Sequence, residues 1–360
     1  MKITRVESHR CDVPLSRPYT IATRTISAVE LMFLRLITDD GQVGLGSASP
    51  VASVTGESVD ACWQKLDEEA LGWLVGRDPR HLGALCRQAK QTMRATPAAR
   101  AAVDIALHDL FARVVGVPLV DVLGRCHEAL PTSITLGIQS SEEALAETEE
   151  YLGRGFRCLK VKIGLDLEAD IERLTQLRER VGPDVLIRVD ANQGYSSQEA
   201  TRFHTATAGL DLELVEQPLP ADAVDAMRDL PETLRRAIAA DESLLSEDDA
   251  ASLVQQPAAC GIFNIKLMKC GGISSALGIS QIAEATGTEL MWGCNDESAI
   301  SIAAALHAAY ACPTTRYIDL DGSFDLARDP AKGGFLLEDG ALRIPEEPGL
   351  GIEAFDPSSL

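Results

Sequence analysis

The sequence predicts an α/β protein built on a modified (β/α)8 barrel of the TIM type, which follows a small α+β domain. From about residue 131, eight short apolar runs alternate with longer helical stretches, a pattern typical of parallel strands joined by crossover helices. A polar residue stands near the end of each run and recurs every 25 to 28 positions. Eight strand–helix units at a near-constant period are typical of this barrel.

The first domain, expected at 1–125, begins with strands and continues with helices. Residues 31–38 and 43–46 flank an Asp-Asp-Gly-Gln segment, which predicts a β-hairpin because Asp-Gly pairs favour tight turns. From 58 to about 123 the chain is dense in Ala and Leu, with Arg and Asp at i+3 and i+4 spacing. That spacing predicts helices.

The barrel domain is expected at 126–325. An open doubly wound sheet is the structural alternative, although no Gly-x-Gly-x-x-Gly motif follows an early strand. A Gly- and Pro-rich C-terminal segment, 326–360, predicts one short strand pair that packs back on the first domain. The predicted barrel strands are 132–137, 157–163, 186–190, 211–216, 237–241, 262–266, 289–293 and 316–321.

The composition is typical of a globular protein with a sizeable core. Hydrophobic residues make up 46% of the 360 positions, and 33 basic against 54 acidic residues give a net charge of −21. That charge argues against nucleic acid and anionic membranes as partners. The apolar stretch 299–312 is too short to span a membrane and predicts a buried helix. The start lacks an apolar leader and the nine cysteines are scattered, so we expect reduced thiols, no zinc site and a cytoplasmic protein.

Three consecutive strands each end in a carboxylate, namely Asp190, Glu216 and Asp241. At the same depth in a barrel these groups would repel one another unless a cation lay among them. Oxygen ligands alone favour a hard ion, and three carboxylates with waters and substrate oxygens suit one Mg²⁺. The alternative is that the three acids lie in solvated loops.

Three lysines are expected at the same barrel mouth. Lys160 and Lys162 share one face of the second strand, and Lys266 ends the sixth. On the second strand, burial and like charge would lower the pKa of one of the two lysines and make it a usable base, although ion pairs with neighbouring carboxylates are the structural alternative. Because Lys162 and Lys266 are four strands apart, they should approach the axis from opposite sides. Two such bases suit a reaction in which one removes an α-proton and the other returns a proton to the opposite face of the carbon. A metal ion would stabilise the enediolate formed between these steps.

The motifs KVK at 160–162, DAN at 190–192, EQPLP at 216–220, ADES at 240–243 and NIKLMKCGG at 264–272, in this order, resemble the enolase superfamily. The similarity is to the branch with muconate cycloisomerase and the dipeptide epimerases. The mandelate racemase branch has a His–Asp dyad in place of Lys266, so the resemblance excludes that branch. The resemblance implies that the first domain caps the barrel, that Lys160 neutralises the substrate carboxylate and lowers the pKa of Lys162, and that Asn192 is auxiliary. It also implies a Mg²⁺ site made by Asp190, Glu216 and Asp241, with Lys162 and Lys266 as the acid/base pair.

The last strand distinguishes among activities of this branch. Asp319 and Asp321 lie on one face and resemble the dipeptide epimerase element that binds the substrate α-ammonium, although an Asp-capped turn before Gly322 is the alternative. Asp296 is expected to share the ammonium. The resemblance also suggests Thr135 and Cys294 as substrate contacts.

Two loops of the first domain, 16–25 and 49–57, are expected to contact the second side chain of the substrate. Arg24 matches the position at which Ala-Glu epimerases present an arginine to glutamate. Val51 and Ala52 carry no charge and favour an apolar side chain instead. These signals conflict, so the dipeptide stays open between L-Ala-L-Glu and others.

The sequence therefore predicts a Mg²⁺-dependent isomerase that epimerises the C-terminal α-carbon of an L,L-dipeptide by two-base 1,1-proton transfer through an enediolate. An N-succinylamino acid racemase or a muconate or chloromuconate cycloisomerase would use the same two lysines. A Schiff-base aldolase is a remote alternative, and a binding protein would not need bases on both faces of its site. The expected partner is a small-molecule dipeptide, and the expected assembly is a homo-oligomer.

Overall fold

The computed structural model describes residues 1–21 and 24–359. Its first three strands are β1 (Ile3–Ile21), β2 (Arg24–Thr38) and β3 (Val43–Ala48), which form an antiparallel sheet in that order. Strands β2 and β3 pair from Met32 with Ala48 to Ile37 with Val43, which confirms the predicted hairpin. The turn is compatible with this sequence because Gly41 takes a φ of 85°, a conformation that glycine adopts without a steric penalty.

Helices pack on one face of this sheet. Helix α4 is buried on nearly every side, since it lies between the sheet and the rest of the molecule. It begins with Pro97, whose missing N–H costs nothing in a first turn, and it stops at Gly116, which has a φ of 85°. The helices are α1 (Ala52–Thr55), α2 (Val59–Leu66), α3 (Leu82–Thr92), α4 (Pro97–Val115) and α5 (Leu119–Leu123), with 3₁₀ turns at Gly72–Leu74 and Pro79–His81.

The second part of the chain is an eight-stranded parallel sheet that closes on itself. After the short β4 (Leu130–Pro131), its strands follow one another in spatial order along the chain. The ring closes through a parallel bridge between Thr132, just before β5, and Ile318 of β12, so the open-sheet alternative is wrong. The strands are β5 (Ile134–Leu136), β6 (Cys158–Lys162), β7 (Leu186–Asp190), β8 (Leu212–Glu216), β9 (Ile238–Ala240), β10 (Ile262–Ile265), β11 (Glu289–Gly293) and β12 (Thr315–Asp319).

The predicted strands agree with these bounds to within two residues at each end. Strands β7 and β11 coincide with the predictions 186–190 and 289–293. The prediction 316–321 runs two residues beyond β12, because the backbone N–H of Leu320 turns to the Thr132 hydroxyl, 3.0 Å away. Asp321 thus lies just past the strand end.

Most of the strands are followed by helices on the outside of the ring. Helix α14 is buried along its whole length, as predicted for 299–312, because it lies between the barrel and the first domain. The barrel helices are α6 (Ser141–Gly153), α7 (Leu167–Val181), α8 (Ser197–Ala206), α9 (Val224–Arg228), α10 (Glu232–Ala237), α11 (Glu247–Leu253), α12 (Leu267–Cys270), α13 (Ile273–Thr286) and α14 (Ala299–Tyr310). None of the described helices is long and apolar enough to cross a membrane.

The C-terminal segment returns to the first domain. Two strand pairs form there rather than the one predicted: β13 (Ala331–Gly333) with β16 (Ile352–Phe355), and β14 (Leu336–Glu338) with β15 (Ala341–Arg343), which also pairs with β4. The ring of Phe355 lies 5.3 Å from that of Phe33 in β2. The buried carboxylate of Asp109 in α4 accepts hydrogen bonds from the backbone of both Leu45 and Leu350, each at 2.8 Å. This carboxylate joins a strand, a helix and the C-terminal segment.

We expect Gly46→Ala to destabilise the protein by about 2 kcal/mol, because a Cβ at this position of β3 would overlap the backbone oxygen of Ala102 in α4. Chemical denaturation followed by circular dichroism measures the change. Gly72→Ala is the matched control, since a Cβ there meets nothing within 4 Å. Equal stability of the two variants would contradict the close approach of β3 to α4.

Candidate active site

Three carboxylates lie side by side at one end of the barrel. Asp190 ends β7, Glu216 ends β8, and Asp241 follows β9 directly. Asp190 and Glu216 are paired in the strand register, which places them at the same depth. All three side chains are buried, with at most 1% of each residue exposed.

Fixed donors orient two of these carboxylates. Asn192, in the left-handed region with a φ of 41°, donates its backbone N–H to Asp190 Oδ1 at 2.9 Å. Its amide lies 3.4 Å from Glu242. Asn264 of β10 donates its side-chain amide to Glu216 Oε1 at 2.8 Å. The predicted auxiliary residue Asn192 is therefore in direct contact with a predicted metal ligand.

The three predicted lysines lie in front of the carboxylates. The Lys160 Nζ atom is 2.8 Å from Glu216 Oε2, 3.2 Å from Asp190 Oδ2 and 2.7 Å from Asp319 Oδ2. A second lysine in β6, Lys162, donates to Asp190 Oδ2 at 2.6 Å. On the other side, Lys266 donates to Asp241 Oδ2 at 2.8 Å.

Lys162 and Lys266 approach the barrel axis from opposite sides. Their strands, β6 and β10, are four places apart in the closed ring, with the carboxylate-bearing strands between them. Both side chains, with Lys160, line a cavity of 470 Å³ between the barrel mouth and the first domain. A small molecule bound in this cavity would lie between the amines of Lys162 and Lys266.

Burial and neighbouring charge set the pKa values of the acids in opposite directions. Burial, together with the negative charge of Asp190, raises the pKa of Glu216 to about 8. Burial would also raise the pKa of Asp190 and Asp241, but the adjacent ammonium groups hold both below the usual range. Of the three carboxylates, Glu216 is therefore the one whose charged form is disfavoured when no cation is bound.

Neighbouring carboxylates raise the pKa of two of the lysines. Burial lowers these pKa values, but the facing carboxylates outweigh burial and raise the pKa of both Lys160 and Lys266 above its usual range. For Lys160 this agrees with the alternative of ion pairs with neighbouring carboxylates, because its ammonium group faces three of them. A divalent cation bound by the carboxylates would neutralise the negative charge that raises these lysine pKa values.

The residues present fit a magnesium ion. The donor set is oxygen only, which suits a hard cation. The Oε2 atom of Glu216 is buried and accepts no hydrogen bond, although the Lys160 ammonium lies 2.8 Å away. Repulsion among the three acids, already visible in the raised pKa of Glu216, is what a bound divalent ion would relieve.

A fourth lysine supports the site and was not singled out from the sequence. The buried ammonium group of Lys269, in α12, donates to the Asp241 carboxylate, to the Asp241 backbone oxygen at 2.5 Å and to the Asn264 backbone oxygen at 3.2 Å. All three of its N–H bonds are used inside the protein. It follows Lys266 by three positions, a spacing that returns both side chains to one side of a helical turn.

The Asp-x-Asp pair of the last strand occupies the cavity wall. Asp319 accepts hydrogen bonds from the Ser133 hydroxyl at 2.6 Å and from Lys160, so both its oxygens face protein donors. Asp321 accepts the backbone N–H of Thr135 at 2.8 Å. Thr135 and Cys294 line the same cavity, so the structure brings four of the predicted substrate-binding residues together.

A second group of acids lies next to this pair at the cavity mouth. Asp296 accepts a hydrogen bond from the Tyr19 hydroxyl at 3.0 Å. Burial and the negative charges of Asp296 and Glu147 raise the pKa of Asp325 to about 6. Burial and the charges of Asp319 and Asp325 likewise raise the pKa of Asp321 to about 7.

The two predicted specificity loops reach the cavity. Val51 and Ala52 line it, as do Tyr19, Ile21 and Thr25 of the other loop. The side chain of Arg24 lies outside the part of the chain that the structure describes. Its predicted role stays a prediction.

Two family models cover almost the whole chain. The N-terminal domain of mandelate racemase and muconate lactonizing enzyme matches residues 4–124, and the enolase C-terminal domain-like model matches 143–357. The chain belongs to the mandelate racemase/muconate lactonizing enzyme family. This confirms the resemblance to the enolase superfamily.

Several members of this family with similar sequences are dipeptide epimerases, and one that is 31% identical is the N-succinyl-L-Arg/Lys racemase of Bacillus cereus. The L-Lys-D/L-Arg epimerase of Methylococcus capsulatus is 55% identical over 98% of this chain and 99% of its own length. The L-Ala-D/L-Glu epimerase of Bacillus subtilis is 37% identical over 98% of this chain and 97% of its own. A crystal structure of the Methylococcus capsulatus dipeptide epimerase with Mg and L-Arg-D-Lys, 55% identical, superposes with a TM-score of 0.97 over 98% of this chain and 99% of that one. In this family Mg²⁺ is the metal of the active site, and the oxygen donors described above fit it.

We expect the Mg²⁺ affinity of this protein to rise about tenfold per pH unit up to pH 8 and then to level off. Glu216, with a pKa of about 8 in the metal-free protein, must lose its proton to bind the ion. Below pH 8 the proton competes with Mg²⁺, and above pH 8 it does not. Isothermal titration calorimetry in buffers of different ionisation enthalpy measures both the affinity and the released proton.

Glu242→Gln is the control for this experiment, because burial and the charge of Asp241 raise the pKa of that neighbouring acid to about 7. The Mg²⁺ affinity of Glu242→Gln should still depend on pH, with a midpoint near 8. The Mg²⁺ affinity of Glu216→Gln should no longer show this dependence. A Mg²⁺ affinity independent of pH in the unaltered protein would contradict the raised pKa.

Proposed function

We propose that this protein is a Mg²⁺-dependent dipeptide epimerase whose substrates carry cationic side chains, as in L-Lys-L-Arg. The observation that carries the proposal is the excess of carboxylates around the cavity. Its lining residues include Asp296, Asp321 and Asp325, and of these Asp321 and Asp325 make no ion pair with a described lysine or arginine. Glu30 and Glu147 also line the cavity but are paired with Arg10 and Arg17. The buried lysines on its floor are already paired with other carboxylates.

Asp325 is the acid best placed to recognise an added cation. It is half-buried, and none of the described side chains donates a hydrogen bond to its carboxylate. Its neighbours Asp296 and Glu147 are negative and raise its pKa, so an ammonium or guanidinium group would relieve their repulsion. Because Asp325 also raises the pKa of Asp321, the cation it binds belongs to the residue whose α-ammonium Asp321 would hold.

The comparisons support a cationic substrate over Ala-Glu. The relative named for Lys and Arg is 55% identical, whereas the relative named for Ala and Glu is 37% identical. A glutamate side chain would add a further negative charge to a cavity already rich in carboxylates. The uncharged residues Val51 and Ala52 would then contact the aliphatic part of a long side chain.

The two amines on opposite sides of the cavity account for inversion at carbon. We assign Lys162 and Lys266 as the bases: one accepts the α-proton, and the protonated other donates a proton to the opposite face. A bound Mg²⁺ would supply positive charge that stabilises the substrate carboxylate as the α-carbon loses its proton. Lys160, fixed by three carboxylates, adds a second positive charge without leaving its place.

Asp321 would hold the α-ammonium of the N-terminal residue. Its Oδ2 atom is oriented by the backbone of Thr135, and its charge is unneutralised by any described lysine or arginine within 4.0 Å. An N-succinyl or muconate substrate would bring a carboxylate to this place and would be repelled. The Schiff-base alternative needs no metal ion, so it predicts chemistry that EDTA leaves unchanged.

We expect L-Lys-L-Arg, incubated with the Mg²⁺-loaded enzyme in D₂O, to gain one deuteron at the C-terminal α-carbon and to form the L,D epimer. L-Ala-L-Glu should be labelled at least tenfold more slowly, and N-succinyl-L-Arg should not be labelled. Proton NMR and mass spectrometry measure the labelling, and EDTA should stop it. Labelling of N-succinyl-L-Arg alone would contradict the dipeptide assignment while leaving the two-lysine chemistry intact.

Lysine variants provide the internal control. Lys162→Ala and Lys266→Ala should each lose turnover by about 10²- to 10⁴-fold, yet each should still exchange the α-proton of one epimer. Lys65→Ala, an exposed lysine on α2, should behave like the unaltered enzyme. Loss of both exchanges in both variants would argue against one base for each face.

We expect Asp325→Asn to lower kcat/KM for L-Lys-L-Arg by about tenfold, since a charge-assisted hydrogen bond is worth about 1.5 kcal/mol or more. The kcat/KM for L-Ala-L-Arg, which lacks the first cationic side chain, should change less than twofold. Asp184→Asn is the matched control, because Asp184 is exposed and lies outside the cavity. Equal losses with both substrates would contradict recognition of the N-terminal side chain by Asp325.

A further inference from the structure

A second cavity lies apart from the active site, between the first domain and the barrel. It has a volume of 1050 Å³ and is bounded on one side by α3 and the start of α4, and on the other by the start of α11. The basic side chains on its walls are Arg87, Lys90, Arg94 and Arg100. A fifth basic residue, Lys269, also lines the cleft, but its ammonium group uses all its N–H bonds on Asp241 and Asn264.

Two of these arginines, Arg87 and Arg94, have no hydrogen-bond or ion-pair partner among the residues that the structure describes. Among the arginines whose side chains the structure describes, Arg87 and Arg94 alone make neither a hydrogen bond nor an ion pair. Both are exposed at the same cleft. The chain has 54 acidic residues and a net charge of −21, and the other described arginines each make a hydrogen bond or an ion pair. Two unpaired arginines in one cleft are therefore an exception in this protein.

The remaining charges of the cleft leave it positive. Arg100 donates to the backbone oxygens of Cys270 and Gly271 and pairs with no carboxylate. Lys90 is paired with Glu247 at 2.6 Å. Since the acids lining the cleft are Glu247 and Asp248, four cations face two carboxylates.

We propose that this cleft binds a small anion of the phosphate type that carries two or more negative charges. Guanidinium groups match such oxyanions in shape, since two parallel N–H bonds can meet two oxygens. The concave walls favour a small ligand over a flat macromolecular surface, and a divalent anion would balance the net charge of the cleft. The site is distinct from the catalytic cavity, because the two cavities share no lining residue.

The test is calorimetric titration of the Mg²⁺-loaded enzyme with inorganic phosphate, against KCl at equal ionic strength. Phosphate should bind with a stoichiometry of one and raise the melting temperature, whereas KCl should do neither. Arg87→Gln combined with Arg94→Gln should weaken phosphate binding at least tenfold and abolish the shift. Arg202→Gln, which removes the same charge from an exposed position on α8, should bind phosphate like the unaltered protein.

Two outcomes would overturn the proposal. Unchanged phosphate binding in the double variant would mean that the anion binds elsewhere. Absence of phosphate binding, with a sedimentation coefficient that changes in the double variant, would mean that the two arginines contact an acidic surface of a second copy of the chain. Circular dichroism of both variants checks that each is folded, which their exposed positions favour.

Discussion

The active site depends on a balance of charge in a place from which water is largely excluded. Three carboxylates, Asp190, Glu216 and Asp241, are buried side by side, and their mutual repulsion is opposed by four buried ammonium groups. The strand ends place the carboxylates at the same depth. The left-handed turn at Asn192 and the amide of Asn264 donate hydrogen bonds to Asp190 and Glu216. Removing any one charge would leave its partners uncompensated in a low dielectric, which is costly.

The same balance explains how chemistry and specificity are separated in space. Lysines form the floor of the cavity, and the carboxylates that would hold Mg²⁺ lie behind them. Unneutralised acids such as Asp321 and Asp325 line the mouth. Under the proposed function, a cationic dipeptide would be attracted at the rim by charges that take no part in proton transfer, while the lysines of the floor stay paired until metal and substrate enter.

The barrel and the charged residues at its strand ends could be predicted from the sequence, because the strands and the polar residues that end them recur every 25 to 28 positions. Lys162, Asp190 and Glu216 stand at the ends of their strands, where that period places them. Lys269 could not be found this way, because it lies in the turn of helix after a strand and its role depends on reaching Asp241. Asp325 is equally outside the period, in the segment after β12. The raised pKa of Lys160 could not be predicted, because the sequence contains the charges but does not show which of them face one another.

The contacts of the C-terminal segment have a consequence for how the chain acquires its structure. Leu350 donates to Asp109, 241 residues earlier, and Phe355 packs on Phe33. The domain formed by the first 125 residues thus cannot complete its core until residues near 350 have been synthesised. Contacts so distant in sequence close slowly, and until they form Asp109 lacks one of its backbone donors. A chaperone that holds the early strands during this interval would act on the same sheet that later covers the active site.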